Sequence, residues 1–286
     1  MSKKTKSKAK KKKSTPVKNS GPMDLASFEG LLSDVFGDSE EETPLRKAQD
    51  MMYDAWEVTN PKQRIALARK ALEISPDCAD AYALLAEDTA NSLTEALNLY
   101  REGVEAGERA LGKEAFKEDV GDFWGILETR PYMRARAGLA ECLWAVGNHD
   151  ESIQHYKDML RLNPNDNQGI RDLLMPRLIE RDKDEEAEVL FKKYSDDGMT
   201  SWAYARVLLD FRKMGDSEIS RKSLKVAINK NKHIPAYLLG RKKMPQSLPE
   251  YYSPGAETEA IFYVKENLKA WKMTPGALEW LLDQTK

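Results

Sequence analysis

The sequence has few of the residues on which metal and catalytic sites most often depend. It contains two cysteines, Cys78 and Cys142, and three histidines, His149, His155 and His233, among 286 residues. Neither cysteine belongs to a CxxC pair, and no histidine has a second ligand at the spacing of a zinc site. We therefore expect no metal site, and the two isolated cysteines favour a reducing, cytoplasmic compartment.

Long apolar runs and phosphate-binding loops are also absent. Uninterrupted apolar residues extend over only a few positions, far fewer than the ~18 that a membrane-spanning helix needs. Neither GxxxxGK[ST] nor GxGxxG occurs, and the mixed charges of residues 181–188 are typical of a solvated helix face. These absences lead us to expect no membrane segment, no cofactor and no enzymatic activity.

Charge is distributed unevenly along the chain. Residues 1–20 contain nine lysines and no acidic residue, which gives this tail a charge of +9 and the remainder a charge of −11. Residues 1–22 have almost no apolar side chains and are predicted to be disordered. They form either a solubilising extension or a nonspecific contact with nucleic acid. The candidate polyanion contact is the densest run, formed by Lys10, Lys11, Lys12 and Lys13.

Residues 23–44 separate this tail from the body. A short amphipathic helix is predicted from Asp24 to Phe36, followed by the acidic linker DSEEETP. The helix either caps the first repeat that follows or binds a partner on a tether.

The stretch from Tyr132 to Asp166 has the pattern of two helices joined by a turn at Gly147. Apolar residues recur at helical spacing on both sides of that turn. With Met133 as the first position, the stretch fits the 34-residue tetratricopeptide pattern, and Pro164 fills its closing proline position. We predict that three residues of these stripes are buried in the core: Leu139, Tyr156 and Leu160.

Similar repeats flank this central one. Residues 45–242 are predicted to contain about five helix pairs, with an apolar insertion near residues 111–131. Residues 243–286 are predicted to form a C-terminal helical cap, in which Thr274 is the N-cap of the last helix. The predicted fold is an all-α, tetratricopeptide-like right-handed helical solenoid.

Two blocks of the sequence carry a family resemblance. The first block is ALEISPDCADAYALLAED at residues 71–88. The second block is C-terminal and is recognised by the spacing of Pro235, Leu248-Pro249, Trp271 and Gly276-Ala277-Leu278. The chain resembles the suppressor of tumorigenicity seven family over residues 64–285. That resemblance implies tetratricopeptide-like helices and no established catalytic residues.

A tetratricopeptide stack lines its concave groove with residues of the first helix of each pair. The register places five candidate groove residues there: Asp80, Glu87, Arg134, Glu141 and Trp144. The carboxylate clamp that binds acidic chaperone tails is absent, so the groove is predicted to bind a basic or amphipathic protein segment. Trp144 either anchors this segment or packs on the insertion. We expect a noncatalytic interaction scaffold, with a nucleic-acid- or ribosome-associated protein as the alternative.

Overall fold

The computed structural model describes residues 43–286, so the lysine tail and the helix expected at 24–36 lie outside the described residues. Every regular element in the described part is an α-helix, in agreement with the predicted all-α class. In chain order the helices are α1 (Pro44–Glu57), α2 (Pro61–Ile74), α3 (Ala79–Thr89), α4 (Leu93–Glu118), α5 (Arg130–Ala145), α6 (His149–Leu162), α7 (Ile170–Glu180), α8 (Asp184–Lys193), α9 (Thr200–Met214), α10 (Glu218–Lys230), α11 (Ile234–Leu238), α12 (Glu257–Met273) and α13 (Ala277–Gln284).

Local sequence signals explain several helix starts. The side chains of Thr43, Asn60 and Ser92 accept hydrogen bonds from the first backbone N–H groups of α1, α2 and α4. Proline follows Thr43 and Asn60 directly, where its missing N–H costs no helical hydrogen bond. Within α4, Gly112 has φ 67° and interrupts the helix near the start of the predicted insertion.

The first ten helices form five consecutive pairs. Each helix from α1 to α9 contacts the helix that follows it in the chain. The first helices of neighbouring pairs also contact each other, namely α1 with α3, α3 with α5 and α7 with α9. This is the arrangement that a tetratricopeptide stack requires, because each pair buries its apolar side against its neighbours. The predicted helical solenoid is confirmed.

The predicted core residues of the central repeat are buried. Leu139, Tyr156 and Leu160 are 3%, 0% and 4% exposed. They belong to a continuous apolar cluster that runs from α3 to α13. The register proposed for α5 and α6 is therefore confirmed.

The insertion between α4 and α5 packs on the stack. Phe123 and Trp124 are buried, and the Phe123 ring lies 5.2 Å from that of Phe116 and 6.1 Å from that of Tyr132. The backbone N–H of Phe123 also donates to the carbonyl of Leu162 at the end of α6. The apolar residues of the insertion thus extend the core.

The C-terminal helix α12 lies beside the first helices of the last two pairs. Along α9, Thr200 hydrogen-bonds Glu259, the ring of Tyr204 lies 5.3 Å from that of Tyr263, and Arg212 donates to Thr274. Residue numbers increase together in these contacts, so α12 and α9 run in the same direction. Because α12 also packs on α7, it covers the first helices of two pairs.

Thr274 is not the N-cap of the last helix, as the sequence had suggested. Gly276, with φ 76°, precedes α13 instead. The hydroxyl of Thr274 donates to the carbonyl of Ala270 in α12 and accepts from Arg212. The Thr274 hydroxyl therefore hydrogen-bonds to α12 and to α9, and the contact with α9 could not be predicted from neighbouring residues in the sequence.

Candidate functional site

The first helices α1, α3 and α5 present one surface, which we call the first-helix face. All five candidate groove residues belong to α3 and α5. Their surroundings divide them into three groups: a buried ion pair, two exposed carboxylates and one aromatic ring.

Asp80 and Arg134 pair with each other. Asp80 is fully buried, and its two carboxylate oxygens accept from Arg134 Nε at 2.8 Å and Nη2 at 2.5 Å. Gln49 of α1 donates to Asp80 at 2.7 Å, and the Arg134 guanidinium lies 5.1 Å from the ring centroid of Trp56. This network joins the three first helices, so the Asp80 carboxylate serves the structure of the face.

Glu87 and Glu141 are exposed and differ from Asp80 in having no ion-pair partner within residues 43–286. Desolvation by the surrounding atoms, followed by the charge of Asp88, raises the pKa of Glu87 above its ordinary value. A bound cation would relieve this unfavourable environment because it would stabilise the ionised form. The two carboxylates are therefore acidic groups of α3 and α5 with which a ligand cation can pair.

The two free carboxylates lie toward the same end of the face. The N-terminal ends of α3 and α5 meet at the Asp80–Arg134 pair. Burial raises the pKa of Tyr100, and the nearby charges of Glu87 and Glu141 raise it further. The two helices are therefore parallel, and both carboxylates lie in the C-terminal halves of their helices. The partial negative charge of a helix C-terminus adds to theirs and favours cations.

Trp144 lies beside residues of α6, α7 and α12. Its ring centroid is 4.3 Å from that of His149, 4.8 Å from the guanidinium carbon of Arg177 and 5.7 Å from Nζ of Lys269. Arg177 belongs to α7 and Lys269 to α12. Trp144 therefore lies where the first-helix face meets α12, and it remains half-buried.

Polar side chains of α6, α7 and α12 lie close to Trp144. Arg177 makes loose ion pairs with Glu180 at 3.6 Å and with Glu266 of α12 at 3.5 Å. The hydroxyl of Tyr156 is buried and has no hydrogen-bond partner among residues 43–286. Burial and then the charge of Glu141 raise the pKa of Tyr156, which means that this hydroxyl lies near the free carboxylate.

Helix α12 closes the face at α7. The open part therefore runs from α1 across α3 to α5. Since packed helices are 8–10 Å apart, this part is about 20 Å wide, which corresponds to about six residues of extended chain. Trp56 and Trp144 stand on α1 and α5, at the two sides of the open part.

Sequence reasoning missed the residues that α7 and α12 add to this site, namely Arg177, Glu266 and Lys269. Their contribution depends on the return of α12 along the first helices, for which the sequence carries no local signal. Tyr156 was predicted only as a core residue. Lys10, Lys11, Lys12 and Lys13 lie outside the described residues, so a polyanion contact there stays a prediction.

An open cleft of about 620 Å³ lies elsewhere, between α4, α5 and α6. It is lined by residues of both charge signs, and its central cation is already bound. Arg136 donates to the Tyr132 hydroxyl, to Nδ1 of His155 at 3.1 Å and to Asp158 at 2.6 Å. All three guanidinium nitrogens of Arg136 are therefore already engaged within the chain.

The comparison with protein families identifies the chain. The family model described as ST7 protein matches residues 35–285. The chain belongs to the ST7 protein family. It is 29% identical over 259 residues to the suppressor of tumorigenicity 7 protein-like of Homo sapiens, and the match covers 83% of this chain and 45% of that protein. For the ST7 homolog of Drosophila melanogaster the identity is 28%, with 82% and 48% covered.

The chain thus spans about half the length of the curated ST7 relatives it matches. Among solved structures, it is similar to YrrB, titled a TPR protein with an unusual peptide-binding site, with a TM-score of 0.46 and 16% identity. That match covers 73% of this chain and 93% of YrrB. Within residues 43–286, no helix is both long and apolar enough to cross a bilayer.

Proposed function

We propose that this chain is a noncatalytic scaffold that binds a basic or amphipathic protein segment along the first-helix face. The single observation that carries the proposal is the pair of exposed carboxylates, Glu87 and Glu141, which have no cationic partner among residues 43–286. The neighbouring Asp80 and Asp88 are already paired with Arg134 and Arg64. A positively charged segment would supply what Glu87 and Glu141 lack.

The flanking side chains support an extended segment of about six residues. Trp56 and Trp144 provide half-buried aromatic surface on either side of α3. Aromatic residues with partial exposure are frequent anchors in protein interfaces. Because exposed charge pairs contribute only about 0–1 kcal/mol each, affinity must come from these aromatic contacts together with the carboxylates.

Binding of a labelled amphipathic, lysine-rich peptide tests the proposal. We use the chain without residues 1–22, so that the tail cannot interfere. The double variant Glu87→Gln and Glu141→Gln is expected to weaken binding about tenfold, because each lost contact removes up to about 1 kcal/mol. Raising the salt concentration should weaken binding by the parent chain much more than by this variant.

The matched control is Glu73→Gln with Glu128→Gln, which removes the same charge from α2 and from the insertion. Both residues are exposed. This control should bind the peptide as the parent chain does. Equal affinity of all three proteins, or preferential retention of acidic peptides, would show that the ligand binds elsewhere.

A further inference from the structure

The chain itself carries a segment with the chemistry proposed for the ligand of the first-helix face. Lys10, Lys11, Lys12 and Lys13 form its longest run of one charge. We infer that this lysine run binds the first-helix face of the same chain, against Glu87 and Glu141, and competes there with other basic segments. The inference rests on the proposed function, because it assigns a regulator to the same surface.

Charge complementarity is the first argument. The tail is +9 and the remainder −11, yet many body carboxylates are neutralised locally, as Asp80 is by Arg134. Glu87 and Glu141 are not neutralised within residues 43–286. Two of the negative charges that the body leaves unbalanced therefore lie on the first-helix face.

The half-buried ring of Trp144 is a second observation. Trp144 follows Glu141 by three residues in α5, so the two side chains are neighbours on the helix surface. A lysine side chain is long and slender enough to place its charge beside Glu141 while its methylene groups contact Trp144.

Chain length permits the contact. The described part begins at Thr43, next to α1, and α1 is one of the three helices of the open face. The 29 residues between Lys13 and Thr43 can extend to at most roughly 95 Å, whereas the face is about 20 Å wide. No part of the face is therefore out of reach.

Competition between the chain's own tail and a peptide in solution tests the inference. The probe is a labelled synthetic copy of residues 3–18, titrated with the full chain and with the chain lacking residues 1–22. A tethered segment acts at an effective concentration of roughly millimolar, so the full chain should bind the probe at least about tenfold more weakly. Replacement of Lys10, Lys11, Lys12 and Lys13 by Ser in the full chain should restore the affinity of the truncated chain.

A matched control removes four exposed lysines from the body instead: Lys62, Lys70, Lys222 and Lys225. This control should bind the probe as weakly as the full chain does. Coupling of carboxylates to amines without a spacer, followed by mass spectrometry, should join the lysine run to Glu87 or Glu141 within one chain at every protein concentration.

The possible failures are distinguishable. Equal probe affinity of the full and truncated chains overturns the tail contact but leaves the proposed function standing. If neither chain bound the probe or any other basic peptide, the proposed function itself would be wrong. Couplings that appear only between chains, and only at high concentration, would also overturn an intrachain contact.

Discussion

The buried Asp80–Arg134 pair gives a sharp stability prediction. Arg134→Ala would leave the carboxylate of Asp80 buried with the amide of Gln49 still donating to it, and the expected loss is about 3–5 kcal/mol of unfolding free energy. Arg134→Lys should recover only part of this, since an ammonium cannot donate to both oxygens in the same planar fork. Chemical denaturation measures both variants.

Arg101→Ala is the control for that measurement. Arg101 and Glu151 form an ion pair at 3.7 Å in which both side chains are nearly half exposed. Its loss is expected to cost about 0–1 kcal/mol. If Arg134→Ala cost no more than Arg101→Ala, the pair at the base of the first-helix face would have no structural role.

Ionisation of Glu87 is expected to destabilise the folded chain, whereas the ion pair of Asp80 is expected to stabilise it. Its pKa is raised in the folded chain, so its ionisation opposes folding: the protonated form is favoured at low pH, and this stabilisation is lost as the pH rises through the folded pKa. Glu87→Gln should therefore unfold at the same temperature as the parent at pH 7, or at a higher one. A clear drop in melting temperature would contradict this account.

The same pKa predicts how binding depends on pH. A basic peptide needs the ionised carboxylate, so acidification should weaken binding. Part of this weakening should be absent from Glu87→Gln, because that variant has lost the carboxyl whose pKa is raised. Titrations of the parent and of Glu87→Gln over the same pH range provide the measurement.

The close approach of α4 and α5 depends on Gly138. A Cβ atom there would lie 2.1 Å from the ring of Tyr100, well inside contact distance. Gly138→Ala should therefore force the two helices apart and lower the unfolding free energy by about 1–3 kcal/mol. Denaturation curves measure the loss, and Gly198→Ala is the control because nothing lies within 4 Å of its new Cβ.

A compensating change makes the Gly138 prediction specific. Tyr100→Leu removes the part of the ring that the new methyl group would meet. In the Gly138→Ala background it should recover part of the lost stability, although alone it costs stability. If the two losses simply added, the destabilisation by Gly138→Ala would have another cause.

The sequence predicted single elements better than contacts between distant ones. The stripes that contain Leu139, Tyr156 and Leu160 follow from helical periodicity, and the structure buries all three. The surroundings of Trp144 were not predictable in this way, because Lys269 reaches it from α12 far along the chain. Thr274 shows the same limit at a helix end, where a long-range partner overrode the local capping signal.

For the candidate site residues too, the sequence predicted the position on a helix but not the long-range partners. Helical register alone assigned Glu87 and Glu141 to the first helices, and both are exposed there. Register could not show that Asp80 is fully buried and paired, since its partner Arg134 comes from the next repeat pair. Burial of charge depends on which residues face one another across the stack, and a single sequence does not contain that information.

For the whole molecule, α12 determines how much of the solenoid remains open. Among residues 43–286, α12 packs on α7 and α9, and it meets α5 where Lys269 lies beside Trp144. We therefore expect the ligand to bind to the N-terminal half of the stack.

Photo-crosslinking of a bound peptide tests this assignment most directly. A basic peptide of six to eight residues, with a photoreactive group at its centre, is bound to the chain lacking residues 1–22 and then irradiated, and the modified residues are mapped by mass spectrometry. The account predicts that most modifications fall on the first-helix face, on α3 and α5 between Ala83 and Trp144, and that excess unlabelled peptide suppresses them. Modifications concentrated on the second helices, such as α2 and α6, or on residues 241–256, would contradict it.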